Sequence, residues 1–250
     1  MIYMDLKQHI DFFEHEYPQD RLFVFSPVGS WNYNCADEYS DVDTKFIVVP
    51  SMTDIVNNNC DSFTHIFPND EHCEIVDIRN FAKSIKKGNP QFLEILFSNY
   101  IEYNSEFFGE EVNILLQNRE EISRCNTPNT MRAFLGMADR NHQLCKIRGS
   151  EDHANKWLYQ LVRIEECMKK FFQGSTFEDC LVTTQRDRLL EIKNNHYTTE
   201  KIMSIADSSI ENCRLYYENY KLCPSYYEVR WVQCWIDEVI KSVIKKYITK

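Results

Sequence analysis

The stretch VGSWNYNCADEYSDVDTKFIVV, residues 28–49, decides how this chain is read. An apolar run at residues 22–25 leads into it as a strand broken by Pro27. Gly29-Ser30 follows as a tight turn, where the missing side chain at Gly29 lets an anion approach the backbone closely. Ten residues separate Ser30 from Asp41, and residues 42–49 then form a second apolar strand. Asp41 and Asp43 stand two apart, so extended backbone projects both carboxylates to one face. Adjacent carboxylates repel each other unless a cation lies between them. Magnesium suits that place, because it takes carboxylate and phosphate oxygens together. A lone Asp-x-Asp is common on solvated strand edges, so its weight comes from the turn, the spacing and the flanking strands. Together they suit nucleotidyl transfer.

Gly29, Ser30 and Tyr33 form a Gly-Ser-x-x-Tyr turn, and Ser40, Asp41 and Asp43 form Ser-Asp-x-Asp. This pattern resembles the signature of the DNA polymerase β nucleotidyltransferase superfamily. It is similar above all to predicted nucleotidyltransferases of bacteria and phages, some of them associated with RNA repair. The likeness extends over most of the chain and is strongest at residues 28–43 and 74–97. The resemblance implies a metal-dependent transfer of a nucleoside monophosphate from a triphosphate, expected to be ATP, to an acceptor hydroxyl. That acceptor would be an RNA 3′ end, a protein or a small molecule, and pyrophosphate would leave.

Two magnesium ions, or manganese in their place, would sit on Asp41, Asp43 and a third carboxylate. The strand expected at residues 72–78 offers Glu74 and Asp77 on opposite faces, and parity alone does not choose between them. The resemblance selects Glu74. Asp77 otherwise suits the N-cap of a helix over residues 79–87. Lys45, on the parity of the two aspartates, is either a phosphate ligand or a partner that damps their repulsion.

Gly29, Ser30, Tyr33 and Ser40 are expected at the nucleotide. Lys156, Gln160 and Arg163 fall at i, i+4 and i+7, one stripe of a helix, and either pair with Glu165 and Glu166 or hold phosphate. The resemblance favours nucleotide contact for Lys156, Tyr159 and Arg163. Asn34 follows Tyr33 where many relatives place Gly, a departure that bears on rate rather than class.

The chain has 250 residues, a formal net charge of −10 and ten cysteines. Such a charge repels a nucleic-acid backbone, so an RNA acceptor needs a local basic patch. No two cysteines are spaced as Cys-x-x-Cys, which disfavours zinc ribbons, and reduced thiols packed as small hydrophobes are expected. No apolar run approaches the ~20 residues that cross a bilayer, and a cytoplasmic location is expected. Glycine motifs for dinucleotides or Walker-type phosphate loops are absent.

Helical spacing marks residues 5–17, strands are expected at 63–67 and 72–78, and a polar surface connection at 51–61. Residues 91–97 form a buried helix or turn, and Glu94 within that apolar run needs a partner. Breaker residues at 123–129 place a boundary, and everything beyond has helical periodicity, with Ser150 or Asp152 as a cap. The expected architecture is α+β: a small mixed-sheet nucleotidyltransferase domain over 1–124 and a helical domain over 125–250. Two rivals stand beside the enzyme: a toxin–antitoxin-type protein adenylyltransferase, and a catalytically silent nucleotide-binding regulator. The intact Asp41 and Asp43 speak against the second.

Overall fold

The computed structural model of the chain describes residues 4–38, 40–60, 62–148, 154–194, 197–222 and 230–250. They belong to two compact units. The first comprises Met1–Asn32, Ala36–Asn126 and Glu228–Lys250, and the second comprises Tyr33–Cys35 and Thr127–Tyr227.

The first unit is built on a mixed five-stranded sheet of order β3-β4-β2-β1-β5. The strands are β1 (Leu22–Val28), β2 (Asp43–Val48), β3 (Ser62–Ile66), β4 (His72–Asp77) and β5 (Glu102–Tyr103). β2 runs parallel to β4 and antiparallel to β1. Five of the six β2 residues are buried, the pattern of a strand covered on both faces. On one face lies α1 (Lys7–Glu16), whose Phe13 stacks on Phe46, which in turn stacks on Phe25, with centroids 4.7 and 4.3 Å apart. Burying each such ring contributes about 1.5–3 kcal/mol.

β1 runs through Pro27 to Val28 rather than stopping at the proline. β5 pairs only with Val24 and Phe25, so one side of β1 at Pro27 has no strand partner to miss an N–H. The polar connection after β2 contains a short helix, α2 (Met52–Val56), started by a capping box between Ser51 and Asp54. α3 (Ile78–Lys86) begins at the Asp77 cap and stops at Gly88, whose φ of 68° suits a residue without a Cβ. Residues 90–97 form one turn of helix, α4 (Pro90–Leu93), then a 3₁₀ turn, Glu94–Phe97. α5 (Ser105–Gln117) and α6 (Arg119–Arg124) follow.

The second unit is helical: α7 (Thr127–Arg148), α8 (Ala154–Phe172), α9 (Phe177–Leu181), α10 (Arg186–Asn194) and α11 (Thr199–Leu222). The caps expected at Ser150 or Asp152 lie outside the described residues. The boundary near residue 125 does not hold to the end of the chain. The last helix, α12 (Arg230–Ile248), belongs to the first unit, tied there by Lys86 to Asp237 and by Ser242 and Lys246 to buried Glu111. No helix among the described residues is long and apolar enough to cross a membrane. The nine described cysteines are free, and seven of them are buried.

Candidate active site

Strand register sets the geometry of the site. Lys45 of β2 pairs with Glu74 of β4, so Asp43 stands beside His72. By the two-residue alternation, Asp43, Lys45, His72 and Glu74 share one face of the sheet. Asp77 lies on the other parity, 1% exposed. Its carboxylate accepts from Arg79 N at 2.7 Å and from Arg79 Nε at 2.9 Å. It is therefore the cap of α3 and the partner of an arginine, while Glu74 is the carboxylate that faces Asp43's way.

β2 starts at Asp43, one residue later than expected, so Asp41 precedes the strand. The alternation nevertheless continues through it: Asp41 is exposed, Val42 buried and Asp43 half-exposed. Asp43 Oδ1 accepts from His72 N and contacts His72 Nδ1, each at 3.0 Å. The carbonyl of Asp41 accepts from Trp31 Nε1 at 3.2 Å. Gly29 turns the chain out of β1 with φ of 80°, and open space lies where a Cβ would be. Ser30 sits in the 3₁₀ turn that follows, Gly29–Trp31. Ser40 Oγ donates to Asp37 Oδ1 at 2.9 Å.

Lys45 is 8% exposed, and its ammonium bonds to Glu74 and lies 4.8 Å from the centroid of the Phe92 ring. Burial pushes the Lys45 ammonium below its ordinary range, against the pull of the Glu94 and Asp43 carboxylates. Its ion-pair partner is thus Glu74, while the Asp43 charge also bears on it. Glu94, 3% exposed, is the buried carboxylate whose charge Lys45 feels. Among the described residues, no three His, Cys, Asp or Glu side chains come together as a ready metal site.

A cleft of about 420 Å³ opens beside the signature loop, lined by Trp31, Asp37, Glu38, Ser40, Val42 and Glu71 among others. Gly29, Ser30, Asp41, Asp43 and Glu74 are not among the residues that line it.

In the second unit, Tyr33, Tyr159 and Arg163 are buried. The Arg163 guanidinium lies 3.8 Å from the Tyr33 ring centroid and donates to Gln160 Oε1. Burial raises the Cys35 thiol above its ordinary value, with Tyr159 and Arg163 opposing. Lys156 is exposed. Glu165 accepts from Asn212, and Glu166 from Thr183, Thr184 and Lys170. Asn34 takes a φ of 58°, the left-handed backbone that Gly adopts freely and Asn tolerates.

Two residues at the site escape the sequence reading. His9 sits within the apolar stripe of α1, between Leu6 and Phe13, and that placement was its only signal. Glu71 follows the turn residues Pro68-Asn69-Asp70 and carries none. Yet Glu71 Oε1 accepts the Val42 N–H at 3.1 Å, and its Oε2 accepts from His9 Nε2 at 3.1 Å.

The family described as RlaP, RNA repair pathway DNA polymerase beta family, matches residues 4–221. No curated protein matches the chain.

Proposed function

The chain belongs to the RNA repair pathway DNA polymerase beta family, and from that membership we propose that it moves a nucleoside monophosphate from a triphosphate, ATP first among them, to an acceptor hydroxyl. One observation carries the reading: Asp43 and Glu74 share a face of neighbouring parallel strands, on the sheet whose β1 runs straight into the Gly29 turn. In this reading, Gly29 and Ser30 present backbone to the phosphates, and Asp41, Asp43 and Glu74 are the catalytic carboxylates.

The donor set fits a hard divalent cation in kind. Asp41 is exposed and the Asp43 side chain 42% exposed, and both offer only oxygen. Glu74 would join them by turning from Lys45 to the ion. Bound magnesium, or manganese, would supply charge to the attacking hydroxyl and to the departing pyrophosphate. The acceptor oxygen forms its bond to the α-phosphorus, the α–β bridging oxygen leaves with pyrophosphate, and the hydroxyl proton passes to a carboxylate of the set.

Charge bears on the acceptor. The first unit carries 25 Asp and Glu against 14 Lys and Arg, and the second 13 against 14. Three lysines near the C-terminal end of the sequence are already paired, Lys246 with Glu111, Lys250 with Asp20 and Lys241 with Glu238. Within the second unit, Arg132, Arg140, Lys146 and Lys156 are exposed cations of the kind an RNA backbone would need. The acidity of the first unit gives the rival, a protein hydroxyl as acceptor, its support.

Incubation with α-labelled ATP, total RNA and cell lysate, with magnesium or manganese, tests the proposal. Label is expected on an acceptor, with pyrophosphate released. Asp41→Asn and Asp43→Asn should each lower transfer by at least about 100-fold, since even outer-shell partners of a metal site cost 10–100-fold. Label on a protein band would make the chain a protein adenylyltransferase. ATP that binds without transfer to any acceptor would make it a regulator.

A further inference from the structure

We propose that His9 and Glu71 are positioning residues that hold the Asp41-Val42-Asp43 segment in the geometry its carboxylates need, an inference that rests on the nucleotidyltransferase reading. The peptide group between Asp41 and Val42 is gripped at both ends. Its carbonyl accepts from Trp31 Nε1 at 3.2 Å, and its N–H donates to Glu71 Oε1 at 3.1 Å. Holding that plane constrains ψ of Asp41 and φ of Val42, two of the backbone torsions that set how Asp41 and Asp43 stand relative to each other.

Glu71 is itself held. Its Oε2 accepts from Gln8 Nε2 and from His9 Nε2, both on α1. The far side of the His9 ring, Nδ1, lies 2.8 Å from Thr44 Oγ1, the residue after Asp43. A carboxylate accepts only, so the His9 proton resides on Nε2, and Nδ1 accepts the Thr44 hydroxyl. Burial holds the His9 imidazole below its ordinary value, against the pull of Glu71 and Asp43, a shift in the direction of the single-proton pattern. The ring is 0% exposed and set edge-on against Phe67 at 4.6 Å, so it cannot swing away from either partner. One rigid imidazole thus links the residue after Asp43 to the carboxylate that orients the peptide before Val42. His72, next to Glu71, takes the Asp43 carboxylate from the same direction of chain. Buried polar links of this kind are costly when half-satisfied, so the full set behaves as a unit.

Three readouts test this on the whole chain: exchange protection of the Val42 amide, Mn²⁺ affinity by electron paramagnetic resonance, and kcat and KM for ATP. His9→Phe keeps the ring and its packing on Phe67 but loses both hydrogen bonds. It should fold, expose the Val42 amide to exchange, weaken Mn²⁺ binding by about tenfold or more, and lower kcat with KM for ATP little changed. Glu71→Met, which removes both acceptor oxygens at similar length, should do the same, and His9→Gln, whose amide can still donate to Glu71, should recover part of the loss. Should His9→Phe fail to fold, Thr44→Val, which replaces one hydroxyl by a methyl, carries the same expectations. Folded variants with wild-type Val42 protection and Mn²⁺ affinity overturn the positioning role while leaving the reaction untouched. Wild-type protein that binds Mn²⁺ through an ordered Val42 segment but transfers no nucleotide sinks the reaction and leaves the positioning standing.

Discussion

Lys45 and Glu74 stand opposite each other on parallel strands β2 and β4, and the ammonium of one closes on the carboxylate of the other. A cation already sits where the carboxylate face needs one. That face carries Asp43 and Glu74 and lies within the electrostatic reach of buried Glu94. Lys45→Met should destabilise the first unit by about 3 kcal/mol, the low end for breaking a buried pair, because Glu74 is 31% exposed and can turn to water. Glu74→Gln keeps an oxygen for Lys45, which Glu94 still faces, and should cost less than Lys45→Met while greatly reducing transfer. Urea unfolding beside the transfer assay separates the two. Equal losses of stability in both variants would make Glu74 a structural partner only.

Gly29→Ala isolates backbone strain from crowding. No heavy atom lies within 4 Å of the added methyl, yet φ is 80°. The left-handed conformation costs an L-residue about 1–2 kcal/mol, and the thermal midpoint should fall accordingly. The methyl would also stand in the space assigned to phosphate, so KM for ATP should rise. An unchanged KM would place the triphosphate elsewhere.

Within the second unit, Lys156 and Arg163 lie on one helix but do different work. Arg163 is 7% exposed over the Tyr33 ring, and Arg163→Ala should cost about 2 kcal/mol or more in lost packing and cation–π contact. Lys156 is exposed, and Lys156→Ala should change stability by less than about 0.5 kcal/mol while raising KM for ATP. A melting curve and an ATP titration on the same samples check both. If Lys156→Ala leaves KM unaltered, the helix serves structure alone.

Much of the first unit is legible in its sequence because local signals agree there. Apolar runs give β2 and β4, the Asp77 cap and Gly88 bracket α3, and a Gly-Ser turn precedes the Asp-x-Asp that leads into β2. What stays hidden depends on tertiary pairing. Pro27 looks like a strand end, and it is tolerated inside β1 because β5 stops short of it. The assignment of α12 to the first unit rests on Glu111, 131 residues from its partner Ser242, and no periodicity encodes a contact so distant. Glu71 is likewise invisible: its role comes from the fold bringing α1, β2 and a turn to one carboxylate. The Lys156 stripe was visible as spacing, but only burial separates Arg163 from Lys156.

The anchoring of α12 should be pH-dependent, with a sign that Glu111 sets. Burial alone would raise this carboxyl, but Lys246 and Ser242 outweigh it and hold Glu111 below its ordinary value of 4.5. Above about 4.5 the carboxylate is charged in folded and unfolded chains alike, and the full contribution of the pair is present. As pH falls below that value the unfolded chain takes up the proton first, and the contribution is lost as pH passes down through the folded value. Urea midpoints measured from about pH 7 to about pH 3 should therefore fall more steeply for the wild type than for Glu111→Gln, the two curves converging in acid. Lys246→Met should flatten the wild-type slope in the same way, because it removes the charge that depresses Glu111. Parallel curves for all three would mean that α12 is held by its apolar face, through residues such as Val232, Ile236 and Val243, and not by this pair.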